Sequence, residues 1–132
     1  MILYLDSSAL VKLVIPEAES VALSGYMSDH AGDGRMTSAL ARTEVVRAIR
    51  AATGSEAAVG RARTLLSSFA IVPVHVHLLD SAADLPGALR TLDAIHIASA
   101  HYVRPQLRAL VTYDQRMAAA AEANGLPVVA PA

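Results

Sequence analysis

The chain contains no cysteine. Disulfides, thiolate nucleophiles and cysteine-rich zinc sites are therefore excluded together. Tryptophan is also absent, and there is one phenylalanine beside four tyrosines. A platform of aromatic rings for stacking bases is not advertised. The formal net charge is only −1, from 11 basic and 12 acidic residues, which excludes a global basic field for nucleic acid. No run reaches the roughly 18 apolar residues of a membrane-spanning helix. The start lacks the basic-then-apolar pattern of an export signal, because Asp6 interrupts it early. A cytoplasmic location without membrane attachment is expected. There is no Gly-rich phosphate loop either: "GDG" at residues 32–34 lacks the length and the following Lys-Ser/Thr. No nucleophile-elbow pattern supports a Ser-His-Asp triad.

What is present is a chain of 132 residues, 54% of them hydrophobic. That suffices for one packed domain without staples, taken as residues 1–132. No repeat or linker interrupts it. Short β-type runs alternate with helical stretches. "MILYL", "RMTS", "AIVPV", "ALVTY" and "LPVVAP" read as strands. "SSALVKLVI", "PEAESVALSGYMSDH", "ALARTEVVRAIRAA", "EAAVGRARTLLSSF", "TLDAIHIASAHYV" and "QRMAAAAEANG" read as helices. "HVHLLDSAADL" is ambiguous and mildly helical. Ser7 or Ser8 is available as the first cap, and Pro16 with Glu17 and Glu19 suits a first turn. The alternation predicts an α/β domain with a central, mostly parallel sheet covered by helices on both faces.

In such folds ligands gather beyond the carboxyl ends of the strands. Asp6 ends the first strand, and Asp114 ends "LVTY". Glu44 lies one to two turns into the helix after the second strand, and Asp93 in the first turn of the "TLDAIHIASA" helix. Each has a plain structural reading. Asp6 and Asp114 suit helix caps, Asp93 a helix start, and Glu44 a solvated helix face. Ala41, Val45 and Ala48 on or beside the face of Glu44 weaken the last. If the four converge, like charge and desolvation oppose them unless a cation intervenes. Carboxylates without thiolates describe a Mg2+ or Mn2+ site. One or two such ions suit hydrolysis at a phosphodiester, by orienting and acidifying water and stabilising charge on phosphate oxygens. On this reading, removing the Asp93 charge relieves crowding and stabilises the metal-free fold.

"MILYLDSSALVKL", "TSALARTEVVRA", "LRTLDAIHIASA" and "LVTYDQRMAAAAEANGLPVV" each carry one of these acids. In this order the chain resembles the PIN-domain ribonucleases, and closely the VapC-type toxins of bacterial toxin–antitoxin pairs, over nearly its whole length. The resemblance implies a three-layer α/β/α PIN-like fold and Mg2+-dependent endonucleolytic cleavage of RNA, with Mn2+ as a possible substitute. It implies a protein antitoxin as inhibitor and a homodimer. Mapped onto this sequence, the metal and catalytic positions are Asp6, Glu44, Asp93 and Asp114. Asp6 and Asp93 would be the most direct ligands. Glu44 would bind a second ion or position water, and Asp114 would ligate directly or through water.

Ser8 and Thr112 are supporting candidates whose hydroxyls would hold a carboxylate or a water. Arg42, Arg47 and Arg50 are candidate phosphate contacts, within a segment (residues 35–63) that has six arginines against two acids. His96 shares a helix face with Asp93 and reads first as a hydrogen-bonded core residue. "HVH" is too little for a zinc site, and His75 and His77 share a face only if that segment is a strand. Two other readings stand beside the nuclease. One is a catalytically inactive PIN-like interaction module. The other is a phosphate-transfer signalling or phosphatase domain, which would want a second early aspartate or a late lysine that the chain lacks.

Overall fold

Five strands and seven α-helices alternate along residues 1–132, all described in the computed structural model. In chain order they are β1 (Ile2–Leu5), α1 (Ser7–Lys12), α2 (Ser20–Asp29), β2 (Gly34–Ser38), α3 (Ala41–Thr53), α4 (Glu56–Ser67) and β3 (Ala70–Val72). There follow α5 (Val76–Ala83), α6 (Thr91–Tyr102), β4 (Leu107–Val111), α7 (Gln115–Ala123) and β5 (Val128–Val129). The strands form one sheet in the order β3-β2-β1-β4-β5, and every neighbouring pair is parallel. The expected mostly parallel sheet is thus wholly parallel.

Parallel strands need crossovers, and crossover helices cover both faces. One face packs Leu3, Leu5 and Val111 against Leu10, Leu23, Val45, Ile49, Val59 and Leu66 of α1 to α4. The other packs Tyr4 and Leu110 against Leu78, Ile95, Ile97 and Met117 of α5 to α7. Alternation along β1 sends Leu3 and Leu5 one way and Tyr4 the other. This is a three-layer α/β/α domain. No helix is long and apolar enough to cross a membrane.

Several boundaries differ from expectation, each for a local reason. Helix α1 stops at Lys12 and α2 begins at Ser20, leaving Pro16, Glu17 and Glu19 outside any helical first turn. Lys12 Nζ donates to both Glu17 and Glu19 at 2.9 Å, and Ser20 Oγ donates to the Lys12 carbonyl. Those bonds fasten the segment as a turn. Asp6 caps α1, not Ser7 or Ser8. The "HVH" segment opens α5, with His75 as the cap whose Nδ1 accepts from the Leu78 amide. The strand that would align His75 and His77 is not formed. In α3 the core face is Val45, Val46 and Ile49, while Ala48 is exposed. Gly54 ends this helix with φ of 60°, the left-handed conformation glycine adopts without steric cost.

Candidate metal centre

The winding of the sheet reverses between β1 and β4, the position where open parallel sheets leave a crevice for ligands. Asp6 directly follows β1, and Asp114 follows β4 after Thr112 and Tyr113. Glu44 lies in the first turn of α3, and Asp93 in the first turn of α6. The fold thus brings strand ends and helix starts from four separate stretches of chain to one edge of the sheet.

Asp6 is the buried member, only 3% exposed. Its Oδ1 accepts from the Ser8 hydroxyl at 2.6 Å and the Ala9 amide at 3.0 Å. Its Oδ2 accepts from the Thr112 hydroxyl at 2.6 Å. Burial pushes its carboxyl above the usual aspartate range, despite the opposing pull of these donors. Ser8 and Thr112 also tie the loop after β4 to the site. Ser8 Oγ accepts from the Tyr113 amide, and Thr112 Oγ1 accepts from the Asp114 amide. The two supporting hydroxyls picked out of the sequence therefore both grip the first acid.

Glu44 is held at one oxygen. Its Oε1 accepts from Ser7 Oγ at 2.7 Å and pairs with His96 Nε2 at 2.6 Å. Burial alone would raise its carboxyl, but the His96 and Ser7 bonds outweigh burial and hold it below the usual glutamate range. His96 is 2% exposed, and its Nδ1 lies 2.8 Å from the Tyr4 hydroxyl. The core reading of this histidine is correct, with a carboxylate of the centre as its partner.

Asp93 and Asp114 share one cation. Arg90 donates from Nε to Asp93 Oδ2 at 2.7 Å and from Nη2 to Asp114 Oδ2 at 2.9 Å. Asp114 also caps α7 through the Arg116 and Met117 amides. Burial pushes the Asp114 carboxyl up, but those amides and Arg90 hold it below the aspartate range. The uncompensated like-charge crowding anticipated for Asp93 is therefore not found, because a guanidinium faces it. At this edge Asp6 moves upward, whereas Glu44 and Asp114 move downward.

No three Asp, Glu or His side chains stand arranged as a finished ion cage. The donors nonetheless fit a hard divalent ion, being carboxylate oxygens flanked by hydroxyls with no sulfur. The Arg90 guanidinium, lodged between two of the acids, marks a position that attracts positive charge. Beside it opens a groove of about 490 Å³ whose lining includes Gly87, Arg90, Asp93, Arg116 and Asn124. Arg42, Arg47 and Arg50 lie instead on the exposed side of α3. Arg50 is engaged there in a two-point pair with Glu56, at 2.9 and 2.7 Å. Charge density along the chain drew attention to α3, but the arginines lining this groove come from sparser stretches. Tyr4 and Arg90 carry no local signal of a role in the sequence, and Ser7 offers itself there only as a cap. Arg90 stands three residues before Asp93, a spacing that pairs side chains across a helix start.

The sequence pattern of the PIN domain matches residues 3–123. The chain belongs to the PIN-domain family. Within that family it falls with the VapC proteins. It is 45% identical over 130 residues to ribonuclease VapC46 of Mycobacterium tuberculosis, covering 98% of this chain and 97% of that one. Among solved structures it resembles M. tuberculosis VapC20, a toxin that cleaves the sarcin–ricin loop, with a TM-score of 0.74. That match has 18% identity and covers 98% of this chain and 99% of the other. A chain of Rickettsia felis VapBC2, bound to a DNA fragment from its promoter, matches with a TM-score of 0.76 and 13% identity over 100% of both chains. The distant structures establish the fold alone. In this PIN domain, Asp6, Glu44, Asp93 and Asp114 line the carboxyl edge of that fold.

Proposed function

We propose that this PIN domain is a Mg2+-dependent endoribonuclease, the toxin of a toxin–antitoxin pair, held inactive by a protein antitoxin. The observation that carries the reading is the continuous polar network at the β1/β4 edge. Thr112 links Asp6 to the Asp114 amide, and Arg90 links Asp114 to Asp93. Glu44 joins beside them through Ser7, the neighbour of Asp6, and through His96, one turn beyond Asp93. The ribonuclease named at 45% identity supports RNA as substrate, and the VapBC2 match supports an antitoxin.

In this reading Asp6 and Asp93 would hold Mg2+ (or Mn2+) most directly, with Glu44 and Asp114 as the further donors. The ion, when bound, supplies Lewis acidity to the phosphate oxygens and acidifies water. The protein orients the acids. Ser8 and Thr112 fix Asp6, and His96 and Ser7 fix Glu44. Arg90 and Arg116 line the adjacent groove and suit the phosphates on either side of the cut. Arg42 and Arg47 remain exposed for a longer RNA. A second copy of the chain is assigned to the α5–α6 face. There Val76, Leu79 and Tyr102 are exposed, beside a cavity of about 450 Å³ lined in part by His75, His77 and His101.

The deciding experiment maps new RNA ends across the transcriptome after brief expression, beside Asp6→Asn and Asp93→Asn. New ends should appear at defined sites with the natural sequence. They should fall by about 1000-fold or more in both variants, because several kcal/mol of transition-state stabilisation is removed at about 1.4 kcal/mol per decade. Folded wild-type protein that binds Mn2+ and cuts nothing would favour the inactive interaction module.

A further inference from the structure

We propose that Tyr4 and His96 are positioning residues that fix Glu44 through one of its oxygens and leave the other aimed at the divalent ion. The inference rests on the metal-dependent reading above and deepens it, naming what sets the geometry of the one acid contributed by α3.

Three side chains from three elements form a line. Tyr4 comes from the middle of β1, His96 from α6 and Glu44 from α3. The Tyr4 ring is fully buried and stands edge-on to the imidazole, with ring centroids 6.0 Å apart at 77°. Its hydroxyl is 2.8 Å from His96 Nδ1, and His96 Nε2 is 2.6 Å from Glu44 Oε1.

The direction of each hydrogen follows from the chemistry of the ends. An ionised carboxylate only accepts, so Nε2 carries a hydrogen and donates it. The Tyr4 hydroxyl lies 2.8 Å from Nδ1 and carries a hydrogen it can donate. With the ring hydrogen on Nε2, Nδ1 is left as the acceptor for it. The order is then Tyr4 O–H to Nδ1, and Nε2–H to Oε1. A hydrogen bond at one ring nitrogen selects what the other presents, the arrangement by which outer partners orient groups around a metal.

Glu44 receives both of its protein donors, Ser7 and His96, on Oε1. No protein group donates to Oε2. A glutamate on a helix surface would ordinarily sample several rotamers and present either oxygen. Here two donors on one oxygen, one of them immobilised in the core, remove that freedom. Oε2 is left as the ligating atom. Both Tyr4 and His96 sit within the packed layer between sheet and helices, so the constraint is built into the core.

The test measures Mn2+ binding to the full chain by calorimetry, with RNA cleavage measured in parallel. His96→Leu removes the donor, His96→Gln restores an amide donor, and Tyr4→Phe removes only the hydroxyl. We expect His96→Leu to weaken Mn2+ binding by about 10-fold or more, the usual effect of losing an outer partner. His96→Gln should recover most of it, and Tyr4→Phe should weaken binding by about 3-fold. Nitrogen chemical shifts of the His96 ring should report a neutral Nε2–H form in the natural protein and a mixture in Tyr4→Phe. Tyr4→Phe keeps the ring that fills the core, so it carries the test if His96→Leu does not fold. Unchanged Mn2+ affinity in folded His96→Leu or Tyr4→Phe would overturn the inference, as would a ring protonated at Nδ1 alone. Natural protein that binds Mn2+ with these dependences yet cuts no RNA would overturn the nuclease reading and leave the positioning role standing.

Discussion

Asp6 and Glu44 are gripped from inside the protein, whereas Asp93 and Asp114 are bridged by a residue that reaches in from solvent. The inner pair is held by Ser8, Thr112, Ser7 and His96, all short or buried side chains. The outer pair is held by Arg90, whose side chain is 54% exposed. Short, packed partners have little rotamer freedom left to lose, while an arginine on the surface has a great deal. The inner half is preorganised and the outer half is exchangeable. On the reading proposed above, an ion entering the crevice would meet two acids already aimed and would have to displace one guanidinium to gain the other two.

The sharpest way to break this contrast is by stability. Tyr4→Ala hollows the core under the inner half and should cost about 3–5 kcal/mol, as deleting a large buried aromatic does. That is a large part of the 5–15 kcal/mol typical of a domain. Arg90→Ala should move the thermal midpoint little, because exposed ion pairs are screened and entropically costly. Urea melts of both, in chelator, measure the difference. Equal losses would mean that the outer half is as much a part of the packed structure as the inner.

A smaller effect, of opposite sign, is expected in ion binding. Arg90→Gln removes the charge that competes for Asp93 and Asp114. Mn2+ should bind about 5-fold more tightly, since about a quarter of the Coulomb energy of one adjacent charge near a protein surface suffices for that factor. Cleavage should nevertheless fall if Arg90, once displaced, holds a phosphate. Calorimetry and cleavage on the same sample separate the two roles. Weaker Mn2+ binding in Arg90→Gln would show that the arginine orders the outer acids for the ion.

The difference between the halves also explains what could be read in the sequence. Asp6, Ser8, Thr112 and Asp114 lie at the ends of short apolar runs, and strand ends are visible as the point where such a run stops. Asp93 stands at the start of a helix whose residues Ala94 to Ala100 are all buried, which made it conspicuous. The layer order followed from the alternation of runs, and residue spacing carried the family resemblance. Tyr4, Ser7 and Arg90 did not announce themselves. A tyrosine in a buried strand, a serine directly after an aspartate and an arginine before a helix are each ordinary in isolation. Their roles depend on pairings such as Tyr4 with His96, 92 positions apart, which no local pattern encodes. Of the arginines on α3 that charge density picks out, Arg50 is engaged by Glu56, while Arg42 and Arg47 stay exposed.

The least obtrusive expected effect is the share of Asp6 in the pH dependence of metal-free stability. Burial raises the Asp6 carboxyl in the folded protein, so the fold holds that proton more tightly than the unfolded chain does. The stabilising contribution is complete below the unfolded value of about 3.9, and is lost as pH rises through the raised folded value. Glu44 and Asp114 are lowered and act oppositely, their contributions being lost on acidification. Asp6→Asn isolates the first from the other two, which both proteins share. In chelator, Asp6→Asn should be the more stable protein at pH 7, with an advantage that shrinks on acidification and vanishes below about pH 4. Adding Mn2+ should reverse the order at pH 7, because ligand binding stabilises only the protein that binds it. A variant less stable than the natural protein at pH 7 in chelator would mean that the three donors to Asp6 more than offset its burial. The inner half would then be organised for an ionised carboxylate even without the ion.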